Sequence, residues 1–200
     1  GSIEYVPNIY FDSNLKEGWP VSIFWEKCSG DYQDFDERVT CERQLPYHNI
    51  GYVSPNVGDI DGDGNKEIIL YAGGKPPKIY VFYSNGSVAD GWPVSVGSSL
   101  LDSFFVSLPA AGDINNDGKD EIVVYNSNEH LSKLDYSEIY VFNGEGQVLW
   151  NASLPKSEQA TIAIADLDVD GYKEIIVKDN NDYDLEDGLI ILNSSGSIIS

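Results

Sequence analysis

A nine-residue acidic segment occurs three times in this chain at a near-constant interval. Asp59-Ile60-Asp61-Gly62-Asp63-Gly64-Asn65-Lys66-Glu67 is followed by Asp113-Ile114-Asn115-Asn116-Asp117-Gly118-Lys119-Asp120-Glu121 and by Asp166-Leu167-Asp168-Val169-Asp170-Gly171-Tyr172-Lys173-Glu174. Each copy reads D-x-[DN]-x-D-G-x-x-E, and the copies start 54 and then 53 residues apart. A fixed period of this length is the mark of a solenoid, a propeller or an array. Few other folds are compatible with it.

The nonapeptide carries the chemistry of a hard cation. Calcium takes about 6–8 oxygen ligands, and oxygens at positions 1, 3 and 5 of a curled loop converge on one point. A glycine at position 6 permits the turn that follows. The backbone carbonyl at position 7 (Asn65, Lys119 or Tyr172) then points inward, and the position-9 glutamate closes the shell. Magnesium fits less well, because it demands strict octahedral geometry and keeps its waters. Three ions are therefore expected. The candidate ligands are Asp59, Asp61, Asp63, Asn65 and Glu67; Asp113, Asn115, Asp117, Lys119 and Glu121; Asp166, Asp168, Asp170, Tyr172 and Glu174. The first and third loops each gather four carboxylates that repel one another without a cation. The second has Asn115 at position 3 and is expected to bind more weakly.

An EF-hand is excluded. Its bidentate glutamate stands at position 12 of the loop, where this chain has Leu70, Val124 or Val177. The residues after each loop, such as Ile68-Ile69-Leu70 and Ile175-Ile176-Val177, are β-branched runs that read as strands. A single acidic loop could be no more than a solvated turn. Three aligned copies point to bound ions.

Each repeat reads as four strands. In the first these are Asn56 to Gly58, Ile68 to Tyr71, Ile79 to Phe82 and Gly91 to Val96, with a hairpin turn at Asn85-Gly86. The second and third repeats match, with turns at Asn143-Gly144-Glu145-Gly146 and Asn193-Ser194-Ser195-Gly196. Near the N-terminus, Gly18-Trp19-Pro20-Val21 matches Gly91-Trp92-Pro93-Val94, so residues 8–24 read as half a repeat. The expected layout is this half unit, a cysteine-containing insertion over 25–53, and units over 54–97, 108–155 and 160–200. The expected fold is all-β, with four-stranded antiparallel sheets stacked as propeller blades.

The loops and their Val-Gly-Asp and Ala-Gly-Asp lead-ins resemble FG-GAP/VCBS repeats. These are the calcium-bearing blades of integrin α-subunit β-propellers and of many microbial surface proteins. The resemblance covers most of residues 8–200, and it implies calcium ligation by positions 1, 3, 5 and 9 of each loop. Many relatives carry aspartate at position 9; here it is glutamate. A closed ring of this kind has about seven blades, and three and a half do not close. The resemblance thus implies a piece of a larger propeller, blades supplied by another chain, or an open arc. The opening Gly1-Ser2 reads as a cloning remnant, in keeping with the first of these.

Charge narrows the partners. The net charge is −21, which excludes the basic stripe of a nucleic-acid binder and disfavours anionic membrane surfaces. No apolar run approaches the ~18 residues that a bilayer span needs. Cys28 and Cys41 share one insertion and are expected to form a disulfide in an oxidising compartment. The sequons at Asn85, Asn151 and Asn193, and sites suited to millimolar calcium, suggest an extracellular or cell-surface setting.

Two classes of function remain. One is an adhesion or binding module for a protein or a glycan. The other is a propeller scaffold or fragment of a polysaccharide-acting enzyme. His48 and His130 are the only histidines, they fall in different insertions, and calcium accounts for most of the carboxylate clusters, so the binding module is preferred. In an up-and-down blade the long connections gather on the rim opposite the acidic loops. Long loops on a rigid scaffold are where recognition usually resides. The candidate ligand face is Tyr32, Phe35, Phe104, Phe105 and Tyr183, a mix of aromatics with acids that suits a carbohydrate or a cationic ligand.

Overall fold

The computed structural model describes residues 55–72, 77–96, 105–127, 136–155, 159–180 and 188–199. They form twelve strands in three antiparallel sheets, with no helix among them. The first sheet is a meander of β1 (Asn56–Gly58), β2 (Glu67–Ala72), β3 (Lys78–Phe82) and β4 (Val94–Ser95). The second holds β5 (Phe105–Val106), β6 (Ala110–Gly112), β7 (Glu121–Ser127), β8 (Tyr136–Phe142) and β9 (Val148–Pro155). Both β5 and β6 pair with β7, so they form one first strand broken at Ser107 to Pro109. The Ser107 hydroxyl bridges the break by accepting the Tyr125 N–H at 2.9 Å. The third sheet holds β10 (Gln159–Ala165), β11 (Glu174–Asn180) and β12 (Leu189–Leu192), and a bridge from Leu192 to Ile198 begins its fourth strand.

The sequence builds these sheets through its period-two pattern. Along β7, Ile122 and Val124 point to one face while Val123 and Tyr125 point to the other, and all four are buried. A strand buried on both faces needs continuous apolar residues rather than alternation, and the run from Ile122 to Tyr125 supplies them. One face packs on the first sheet, in a core with Ile69, Ile79, Val81 and Trp92. The other packs on the third, in a core with Ile175, Val177 and Leu192. The second sheet is thus the middle layer of a three-sheet stack.

The stack is propeller-like in how its sheets join. The first strands β1, β6 and β10 run side by side along one edge of it. At the other edge, the Trp92 indole donates to the Gly144 carbonyl at 2.8 Å, and the Trp150 indole donates to the Ser194 carbonyl at 3.0 Å. Each tryptophan therefore grips the third-to-fourth-strand turn of the following sheet.

The hairpins match expectation, and several strands run longer. Phe105 lies in β5 and pairs with Ser127. β7 reaches Ser127, β8 starts at Tyr136 and β11 ends at Asn180. These strands take residues from connections that sequence pattern alone read as loops. Tyr32, Phe35, Phe104, Tyr183, His48 and His130 lie outside the described residues, as does the Cys28–Cys41 pair.

Candidate metal centre

The three acidic loops share one scaffold of hydrogen bonds, traceable to individual positions. The position-9 glutamates Glu67, Glu121 and Glu174 open the second strand of each sheet and are buried. One oxygen of each, Oε2, accepts the N–H of loop position 2: Ile60 at 3.0 Å, Ile114 at 3.0 Å and Leu167 at 2.8 Å. The position-1 aspartates Asp59, Asp113 and Asp166 accept the N–H of the position-6 glycine at 2.9, 3.0 and 3.1 Å. Position 5 accepts the N–H of position 7, at 2.7 Å from Asn65 to Asp63, 2.9 Å from Lys119 to Asp117 and 2.8 Å from Tyr172 to Asp170. Carboxylates thus shape the loop that presents them.

Position 4 is left-handed in all three loops, a requirement that the acidic motif itself does not reveal. Gly62, Asn116 and Val169 have φ of 77°, 60° and 63°. Glycine and asparagine tolerate this region; a β-branched residue there is an outlier. Val169 is 86% exposed, so no packing compensates. Replacing Val169 with glycine should stabilise the chain by about 1 kcal/mol, read as a higher urea midpoint. An unchanged or lower midpoint would show that the loop carries no strain there.

Two loops bring three carboxylates together. Oxygens of Asp59, Asp61 and Glu67 lie within 4.8 Å of one another, and so do those of Asp166, Asp168 and Glu174. Oxygen-only donor sets of this size suit a hard divalent cation. The position-5 aspartates stand outside both groups. Both oxygens of Asp63 accept from the Asn65 side-chain amide, at 3.0 and 2.9 Å. Hydrogen bonds from the Asn65 backbone and side chain hold its carboxyl below the ordinary aspartate range.

The second loop is built differently. The Asn115 side-chain amide donates to Asp117 Oδ2 at 3.1 Å and to Glu121 Oε1 at 3.0 Å. An NH2 group stands between two carboxylates and neutralises part of their repulsion from within the chain. Burial, opposed by the Ile114 N–H and reinforced by Asp117 and Asp113, still pushes Glu121 up to about 7. Burial likewise raises Glu67, with Asp61, Asp63 and Asp59 adding to the shift. A buried carboxyl among carboxylates either takes a proton or recruits a cation.

Asp120, at position 8 of the second loop, was not singled out by the motif. Its Oδ2 accepts the Asp59 N–H at 2.8 Å and the Lys66 ammonium at 3.2 Å, while its own N–H donates to the Asp59 carbonyl at 2.8 Å. The first and second loops are therefore tied edge to edge. An acid at position 8 opposite a lysine at position 8 of the preceding copy was the signal available in the sequence.

Family models agree with this architecture. An FG-GAP-like repeat model matches residues 59–124, and an FG-GAP repeat model matches residues 105–148. Both matches span acidic loops and the strands that follow them. This stretch consists of FG-GAP repeats. The third acidic loop lies outside both matched stretches; its glutamate closes on the Leu167 N–H as Glu67 and Glu121 close on those of Ile60 and Ile114. No curated protein and no solved structure matches the chain significantly.

Proposed function

We propose that this chain is a calcium-stabilised binding module of the extracellular or cell-surface kind, recognising a protein or a glycan. One observation carries the reading. A buried glutamate pinned by a backbone N–H closes a ring of carboxylates at the same place in the first and the third acidic loops. Calcium is the ion that such oxygen-rich, flexible loops accept most readily. The position-1, -3 and -9 side chains would hold it, with Asp63, Asp117 and Asp170 turning in from their present partners. Bound calcium would supply the positive charge that these loops lack. The exposed sequon residues Asn85 and Asn151 accord with a secreted setting.

We assign recognition to the rim opposite the acidic loops, where the strand order of an up-and-down blade would bring the long connections. A glycan and protein array probed in calcium and again in EGTA tests this, with a polysaccharide turnover screen beside it. Calcium-dependent capture without turnover supports the module. Turnover of a polysaccharide would replace it with an enzyme.

The site chemistry gives two expectations. Asp61→Ala should remove more of the calcium-induced gain in Tm than Asn115→Ala, because only Asp61 contributes charge to a three-carboxylate group. Equal losses would contradict the ranking. The pH dependence has a definite sign. Without calcium, the folded-state values of Glu67 and Glu121 lie above their unfolded values, so folding takes up protons and these two groups favour the fold as pH falls. Calcium must displace those protons, so its gain in Tm should shrink between pH 8 and about pH 5.5. A gain that stays constant across that range would show that neither glutamate meets the ion.

A further inference from the structure

Each acidic loop draws its candidate ligands from its own nine residues, but the first loop is also held from outside, by the second. Asp59 opens the first loop, and its carboxylate has two tasks. It accepts the Gly62 N–H and the Gly64 N–H, both at 2.9 Å, and so sets the turn. It also stands with Asp61 and Glu67 in the three-carboxylate group. Both tasks depend on where the Asp59 main chain is placed.

Asp120 fixes that main chain from both sides. Its Oδ2 accepts the Asp59 N–H at 2.8 Å, and its own N–H donates to the Asp59 carbonyl at 2.8 Å. The same oxygen takes the Lys66 ammonium at 3.2 Å, but the Lys66 side chain is 57% exposed, and an ion pair so wet contributes little. The two main-chain bonds carry the hold. Gly58 makes room for it: a Cβ there would stand 3.2 Å from Asp120 Oδ2 and 2.7 Å from Ala111 Cβ. The turns of the two loops also abut. A Cβ on Gly62 would stand 3.1 Å from Lys119 Cγ and 3.2 Å from the Gly118 carbonyl oxygen.

The next pair of loops is joined differently. Position 8 of the third loop is Lys173, whose ammonium has donors and no acceptor, so it cannot take an N–H from the second loop. Its main chain donates to the Ile114 carbonyl at 3.3 Å, a longer bond made one position further along. We propose that Asp120 is a positioning residue for calcium in the first loop, so that this site is completed by two repeats rather than one. The proposal rests on the calcium reading above. Asp120 orients Asp59, and Asp59 meets the ion. Groups that orient a metal ligand in this way are worth about 10- to 100-fold in affinity. Calcium binding in the first loop therefore depends on the second repeat being folded against it, and binding in the third loop does not pass through Asp120.

Heteronuclear NMR of the whole 200-residue chain, stripped of metal and titrated with calcium, tests this loop by loop. The Gly64, Gly118 and Gly171 amides each donate to the position-1 carboxylate of their own loop, so each reports on one site. Asp120→Ala should move the Gly64 midpoint to about tenfold higher calcium or more and leave that of Gly171 in place. Asp120→Asn keeps an acceptor oxygen for the Asp59 N–H and loses only the charge, so it should move the Gly64 midpoint by about threefold at most. An unmoved Gly64 midpoint in Asp120→Ala would overturn the proposal. Equal shifts at Gly64 and Gly171 would overturn it too, since they would mean a general loss of stability. So would Asp120→Asn as harmful as Asp120→Ala, which would assign the effect to charge and not to the hold on Asp59. If no glycine amide of the unsubstituted chain responded to calcium, the calcium reading itself would fall, and this proposal with it.

Discussion

Saturating calcium should raise the unfolding temperature of this chain by roughly 15 °C or more over the EDTA-treated protein. Each site that binds only the folded loop contributes about 4 kcal/mol when calcium is a thousandfold above its dissociation constant. Two three-carboxylate groups are present, and each kcal/mol moves the midpoint of a chain this size by about 2–4 °C. Removal of the ion also restores the mutual repulsion of Asp59, Asp61 and Glu67 around a centre that backbone hydrogen bonds hold closed. The Asn115 amide already bridges Asp117 and Glu121, so the second loop should add least. Superimposable melting curves in calcium and EDTA would refute the ion-stabilised reading altogether.

Gly144→Ala should be among the most damaging single substitutions in the described region, at about 3 kcal/mol. The site looks innocuous in sequence, a glycine in a hairpin turn. In the fold a Cβ there would fall on the Ile60 carbonyl oxygen of the preceding sheet. Main-chain oxygen cannot rotate aside as a side chain can, so the sheets must separate. Separation also strains the bond from the Trp92 indole to the Gly144 carbonyl. Urea unfolding of Gly144→Ala beside Gly64→Ala gives the comparison. Both should lose stability, but Gly64 has no neighbour for a Cβ to meet and only its left-handed φ of 89° to strain. Equal losses would show that backbone conformation, and not the junction, sets the cost at Gly144.

Much of this architecture could be read from the chain because its determinants are local. The tripled loop, its position-6 glycine and the β-branched runs after it locate β2, β7 and β11 and the turns between strands. The two-sided burial of β7 follows from the continuous apolar stretch at Ile122 to Tyr125. What could not be read depends on neighbours distant in sequence. Strand length is one such property: β5 pairs Phe105 with Ser127, and nothing in the flanking residues announces that partner. The ring of donors is another. Composition marks position 5 as a ligand, whereas Asp63 is engaged by the Asn65 amide. The left-handed position 4 stayed hidden because its three occupants, Gly62, Asn116 and Val169, share no side-chain chemistry.

The joint between sheets has a consequence for how such a chain can grow. Its parts, a tryptophan or its hydrogen-bond acceptor, a turn, and the carbonyl of loop position 2, recur within the repeat rather than in separate dedicated segments. Trp92 grips the turn at Gly144, and Trp150 grips the next turn at Ser194. A duplicated stretch of one period therefore arrives with a socket on one side and a plug on the other. It can be inserted between existing copies without new complementary substitutions on either flank. Gene duplication alone can lengthen the array, and divergence is left free to act on residues outside the joint.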